Sequence, residues 1–255
     1  MAAHSWLARP PSATARVRLF CFPFAGGGAS FYRPWKQHLP AAIDACPVQL
    51  PGREERIAEP AYRRVSNLVQ ALRSDLTAVF DRPYAFFGHS MGALIAFELA
   101  RALRAPSFRE PQHIFVSAHR APTIPARRRY HELDDTALVA VLRRIGGSAD
   151  AALDHDELMA LLLPTVRADF ELCETYRYVA GAPLDVPITV FGGREDSEVA
   201  VDDLHGWRSE SSAHVSIRVI EGSHFFLNEA QAQVLSSITA VLAAPPGARA
   251  SDVSA

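Results

Sequence analysis

Short apolar runs alternate along the chain with longer stretches in which apolar residues recur every three to four positions, the pattern of a mostly parallel sheet covered by helices. VRLFCFPF, from Val17 to Phe24, predicts a first strand, and AGGG after it a turn. Pro47 to Leu50 is a second, shorter strand candidate that ends in the turn Pro51-Gly52. Leu68, Val69, Leu72, Leu76, Val79 and Phe80 lie near a 3.6-residue period, which predicts a helix capped by Ser66 and running through Phe80. YAFF, Tyr84 to Phe87, reads as a strand, and MGALIAFELARALR, directly after Ser90, as a helix. Further strands are expected at His113 to Ser117, Ile188 to Phe191 and Val215 to Ile220, followed by a closing helix from about Glu229 to Leu242.

Between the strands at 113 and 188 lie about seventy residues with no strand candidate, too many for one crossover helix. Asp134 can cap a helix that runs to Ile145 and stops at Gly146-Gly147. A second helix is expected to begin near Asp154, break at Pro164 and resume as PTVRADFELCETYRYV, with Val166, Phe170, Cys173 and Tyr176 near helical spacing. An insertion here would lie over the C-terminal edge of the sheet, where open α/β folds bind ligands, so it reads as a lid. The alternative is a helical subdomain that only adds stability. The expected organisation is a core of residues 1–125 and 184–244, a helical lid insertion at 126–183, and a disordered Pro/Gly/Ala/Ser tail at 245–255.

Composition narrows the class. At 255 residues, 49% hydrophobic and 21% charged, the chain fits a soluble globular protein with room for a sizeable core. With 26 basic and 28 acidic side chains the net charge is −2, no footprint for a nucleic-acid partner. MAAHSWLARPPSATARVR lacks a basic region followed by a long apolar run, so no secretory signal, no membrane association and a cytoplasmic location are expected. Cys21, Cys46 and Cys173 are odd in number and at no metal-ligand spacing, which predicts reduced packing residues and no metal.

The chemistry centres on GHSMG, residues 88 to 92, a match to the G-x-S-x-G elbow in which a serine sits on a sharp strand-to-helix turn. A serine hydroxyl needs a base within hydrogen-bond reach, and the base an orienting carboxylate. In the α/β-hydrolase fold these follow in the order Ser, acid, His. Of the ten histidines, His205, His214 and His224 lie beyond the ITVF strand; His224, in EGSHFFLNE between the last strand and last helix, stands where the fold places its base. His89 adjoins the serine, but a neighbouring side chain points away from the serine's in such a turn, so it reads as a packed elbow residue. The loop GGREDSEV offers Glu195, Asp196 and Glu198; Asp196 is the expected triad acid and Glu195 the alternative. An oxyanion hole needs the N–H of the residue after the nucleophile, Met91, and one from FPFAGGGAS, with Ala25 the first choice and Gly26 the second. GGGASF does not place its glycines as G-x-G-x-x-G, and no P-loop lysine follows, which argues against a phosphate cradle.

Nearly the whole chain, from about Val17 to Leu242, resembles the discrete type II thioesterases that accompany polyketide and nonribosomal peptide synthases. The resemblance rests on FPFAGGGASFYRPW, VQLPGREERIAEP, FFGHSMGALIAFELAR, PTVRADFELCETYRY, VPITVFGGREDSEV and EGSHFFL. It implies an α/β-hydrolase fold with Ser90, Asp196 and His224 as triad and Ala25 and Met91 as oxyanion donors. It also implies a substrate, an acyl thioester on the phosphopantetheine arm of an acyl or peptidyl carrier protein, and no cofactor of the enzyme's own. A monomer is expected.

Carrier proteins are usually acidic, so Arg127, Arg128 and Arg129 are docking candidates, set against their reading as a solvated surface. Phe170 and Tyr176 are candidates for an acyl pocket, set against simple packing of the lid. The rival functions are an esterase or lipase for small diffusible esters or acyl-CoA, a chain-terminating thioesterase, and a non-catalytic binding module. The start at Met1 and the lack of a carrier domain weigh against the second, and the full set of triad candidates against the third.

Overall fold

Six parallel strands stand in the order β2-β1-β3-β4-β5-β6 in the computed structural model, which describes residues 6–105, 107–147 and 153–243. They are β1 (Val17–Phe22), β2 (Ile43–Pro47), β3 (Tyr84–His89), β4 (Ile114–Ser117), β5 (Ile188–Gly193) and β6 (Val215–Ile220). Every residue of β1 to β5 is buried, as in a sheet covered on both faces, while β6 at the edge is mostly half-buried.

Alternate side chains of the strands serve two cores. On one face Phe20, Phe22, Tyr84 and Phe86 pack with α2 (Val65–Leu76) and α3 (Met91–Ala102). On the other, Leu19, Cys21, Ala85 and Phe87 meet Trp35 of the single-turn α1 (Trp35–His38), together with Val234, Leu235 and Ile238 of the C-terminal helix (Leu227–Ala243). The cysteines are free: Cys21 and Cys46 are buried and Cys173 half-buried. Among the described residues no helix is long and apolar enough to cross a membrane.

The segment between β4 and β5 carries α4 (Asp135–Ile145) and α5 (Asp156–Glu174), and the C-terminal helix is therefore α6. Asp134 caps α4 as expected, its carboxylate accepting the Ala137 N–H at 2.8 Å, and Gly146 ends the helix at a φ of 84°.

Other expectations need correction. The second strand starts earlier than the expected Pro47–Leu50, at Ile43, and ends at Pro47, because Asp44, a charged residue inside a buried strand, is matched by Arg9 and by the Ser12 N–H at 2.6 Å. Val48 instead forms an isolated antiparallel bridge with Leu7. Ser66 lies inside α2, which starts at Val65 without a side-chain cap, and the helix gives way to a 3-10 turn at Thr77–Val79. Helix α5 runs unbroken through Pro164 and ends at Glu174, short of Tyr176. Pro164 and Ala160 are exposed, so water can take the carbonyl that the missing N–H leaves free, and burial of Leu163, Val166 and Leu172 holds the helix together. The tail expected at 245–255 lies outside the described residues.

Candidate active site

Ser90 takes φ 51° and ψ −116° where β3 turns into α3, a left-handed conformation that a side chain rarely adopts. The flanking glycines are a matter of space. A Cβ on Gly88 would lie 2.0 Å from the Gly92 carbonyl oxygen, and one on Gly92 would lie 2.1 Å from that of Phe22. The Ser90 N–H donates to the Ser117 carbonyl at 2.8 Å, so β4 braces the turn.

The three residues expected to cooperate meet in one line. His224 Nε2 lies 3.0 Å from Ser90 Oγ, and His224 Nδ1 lies 2.8 Å from Asp196 Oδ2. Asp196 Oδ1 accepts the N–H groups of Glu198 at 2.8 Å and Val199 at 3.1 Å, which turns its other oxygen toward the histidine. The acid's side chain is 1% exposed and the imidazole 7%. With the proton on Nδ1 facing the carboxylate, Nε2 presents its lone pair to the serine hydroxyl. Glu195 is exposed, and Glu198 is held by Arg128, Arg144 and the Tyr130 hydroxyl. His205 and His214 are exposed. His89 is buried with Nδ1 2.9 Å from Ser117 Oγ, and burial, aided by the nearby His224, holds its pKa well below 6.5 and the ring neutral.

A cavity of about 250 Å³ opens over Ser90. Phe24, Met91, Leu142, Ile145, Phe170 and Phe225 give it apolar walls, with Leu142 and Ile145 from α4 and Phe170 from α5. Tyr176 is elsewhere: it packs on the main core and donates its hydroxyl to Glu98 at 2.7 Å, so of the two acyl-pocket candidates only Phe170 lines the cavity. Ala25 and Met91 both line it beside Ser90. Met91 opens α3, where the first N–H groups lack intrahelical acceptors. Gly26, the other candidate donor, gives its N–H to Asp169 Oδ2 at 2.8 Å.

The three arginines proposed for docking differ. Arg127 forks onto Asp203 at 2.9 and 2.8 Å, Arg128 bonds Glu198 at 2.6 Å, and exposed Arg129 reaches Glu132 at 3.1 Å. The sequence reading missed Arg120, which lines the cavity and, among the described residues, makes no ion pair; burial pulls its pKa below the usual arginine range. It also assigned no role to Arg53 and Asp169. A carboxylate between Val166 and Cys173 on an apolar helix face was the available signal, because such a charge requires a buried partner. Among the described residues no group of three or more His, Cys, Asp or Glu side chains could hold a metal.

A parallel sheet carrying a strand–serine–helix elbow, with an acid after β5 and a histidine after β6, defines an α/β-hydrolase. Residues 17–242 match the thioesterase domain, and the chain belongs to that family. It is 41% identical over 225 residues to the gramicidin S biosynthesis protein GrsT of Aneurinibacillus migulanus, covering 88% of each chain. Among solved structures, the RedJ thioesterase from the prodiginine pathway of Streptomyces coelicolor superposes with a TM-score of 0.85 at 38% identity, over 91% of this chain and 88% of that one. The type II thioesterase BorB from the borrelidin biosynthetic cluster gives a TM-score of 0.86 at 36% identity, over 93% and 98%.

Proposed function

We propose that this protein is a type II editing thioesterase. It removes stalled or aberrant acyl groups from the phosphopantetheine arm of acyl or peptidyl carrier proteins in a polyketide or nonribosomal peptide synthase. The observation that carries the chemistry is the line Asp196–His224–Ser90 at 2.8 and 3.0 Å beneath an apolar cavity. Kinship along nearly the full chain with GrsT, RedJ and BorB supports the substrate class.

In this reading His224 takes the hydroxyl proton as Ser90 Oγ bonds to the thioester carbonyl carbon. The Ala25 and Met91 N–H groups hold the resulting oxyanion, where one such donor is worth about 10²–10³ in rate. Collapse breaks the C–S bond, and His224 returns the proton to the departing sulfur. Water then attacks the acyl-serine, its proton passing through His224 back to Oγ, and the free acid leaves. The reaction uses no cofactor beyond the pantetheine that the substrate brings. The segment 126–183 serves as the lid, with α4 and α5 walling the acyl group.

The test is release of short acyl groups from an acyl carrier protein, followed by mass spectrometry of the carrier, with acyl-CoA and simple esters alongside. Carrier-bound thioesters are expected to be preferred, and Ser90→Ala or His224→Ala to abolish release. Undiminished activity in either variant overturns the triad, and a preference for free esters overturns the substrate class.

A further inference from the structure

Asp169 of α5 takes part in a buried junction of three chain segments. Its Oδ1 accepts Arg53 Nη2 at 2.8 Å, and its Oδ2 accepts both Arg53 Nη1 at 2.7 Å and the Gly26 N–H at 2.8 Å. Arg53 is anchored in turn, with Nη1 donating to the Gly27 carbonyl at 3.0 Å and Nε to that of Pro51 at 3.2 Å. The two side chains are 4% and 3% exposed. Thr165 of the same helix donates to the Gly52 carbonyl at 2.6 Å, a second tie between α5 and the loop after β2.

Residues 24 to 27 form a tight turn closed by the Gly27 N–H on the Phe24 carbonyl at 2.9 Å. Carbonyl and N–H of one trans peptide point in opposite directions, so that bond also sets the direction of the Ala25 N–H. Type I and type II turns differ by a flip of the central peptide, here Ala25–Gly26, and a φ of +76° at Gly26 is the type II value. Asp169 holds the N–H of that same peptide.

We infer that Arg53 and Asp169 are positioning residues for oxyanion stabilisation, the carboxylate fixing the 24–27 turn so that the Ala25 N–H is presented to the reacting carbonyl. The inference rests on the hydrolytic reading above. It also makes α5, a wall of the acyl cavity, part of what assembles the oxyanion hole.

The experiment compares the wild type, Asp169→Asn, and the double variant Arg53→Met/Asp169→Leu. The double variant removes both buried charges together, which folds more readily than leaving one unpaired. Each variant is first checked by thermal unfolding. In both, kcat is expected to fall roughly 10- to 10³-fold, while KM and the Kd of a non-cleavable thioether analogue stay within about threefold. Affinity for a trifluoromethyl ketone, whose serine adduct places an oxyanion in the hole, should fall in parallel with kcat. A purely structural role would not produce that split. The inference is overturned if kcat stays within about twofold of wild type, or if thioether binding weakens as much as kcat. Failure of the substrate reading shows separately, as a wild type that leaves carrier-bound acyl groups intact; the positioning role is then scored on p-nitrophenyl ester cleavage and ketone affinity.

Discussion

A side-chain carbon on Gly92 would lie 2.1 Å from the carbonyl oxygen of Phe22, so α3 and β1 meet at backbone contact directly behind Ser90. The obstacle is main chain inside the sheet and cannot swing aside. Gly92→Ala should therefore cost about 3 kcal/mol or more by urea unfolding, with loss of hydrolysis in whatever remains folded. Gly181→Ala is the control. Among the described residues its added carbon would meet only a side-chain nitrogen of Arg101, at 3.0 Å, with no main chain in the way, and stability should stay within about 1 kcal/mol of wild type.

Asp196→Asn separates orientation from architecture. The amide oxygen can keep the Glu198 and Val199 N–H groups, which leaves the amide nitrogen facing His224 Nδ1. An N–H there favours the tautomer with the proton on Nε2, and the lone pair facing Ser90 is lost. A fall in kcat of about 10²–10⁴ with unchanged unfolding midpoint is expected, measured by release of free thiol from an acyl thioester. Near-normal turnover would show that the acid is not needed to set the tautomer.

Three buried histidines make stability sensitive to acid. Burial holds His89 well below 6.5 and brings His113 and His119 down to about 3. The unfolded chain titrates these groups near 6.5 and therefore takes up protons that the folded protein refuses. Their contribution is complete above that pH and is lost as the pH falls from about 6.5 toward 3, at about 1.4 kcal/mol per pH unit for each histidine. Urea midpoints should hold steady at and above about pH 7 and fall progressively more steeply below it. His113→Gln should reduce the slope by roughly a third, and an acid limb that is unchanged in this variant would exclude His113 as a source.

Arg129 is the cleanest of the three arginines for testing carrier docking. Reversing Arg127 or Arg128 also breaks their contacts to Asp203 and Glu198, whereas among the described residues the Arg129 side chain pairs only with exposed Glu132. Arg129→Glu is expected to raise KM for acyl carrier protein roughly 3- to 10-fold, an effect that fades with added salt, and to leave hydrolysis of an acyl-pantetheine unchanged. Equal KM values for the carrier would place docking on another surface.

What could be read in the sequence followed how local the determining interactions are. GHSMG, the ITVF strand with its acidic loop, and EGSHFF each declare their structure within a few residues, and Ser90, Asp196 and His224 converge accordingly. The second strand was misplaced because Asp44 looks polar until Arg9 is folded against it. Pro164 suggested a break that packing of α5 overrides. The Arg53–Asp169 pair was hidden by distance: its members stand 116 positions apart, and only the fold matches one with the other.

The Ser90–His224 contact spans 134 positions, and the strands that precede its two partners, β3 and β6, have two other strands between them in the sheet. Nothing nearby in the chain can stand in for either partner. Parallel ladders between such distant segments are slow to form, because loop-closure entropy is spent before they reward it. An emerging or half-folded chain thus carries an inert serine. During refolding, the fraction of serines that react with an active-site titrant counts the molecules that have completed their topology.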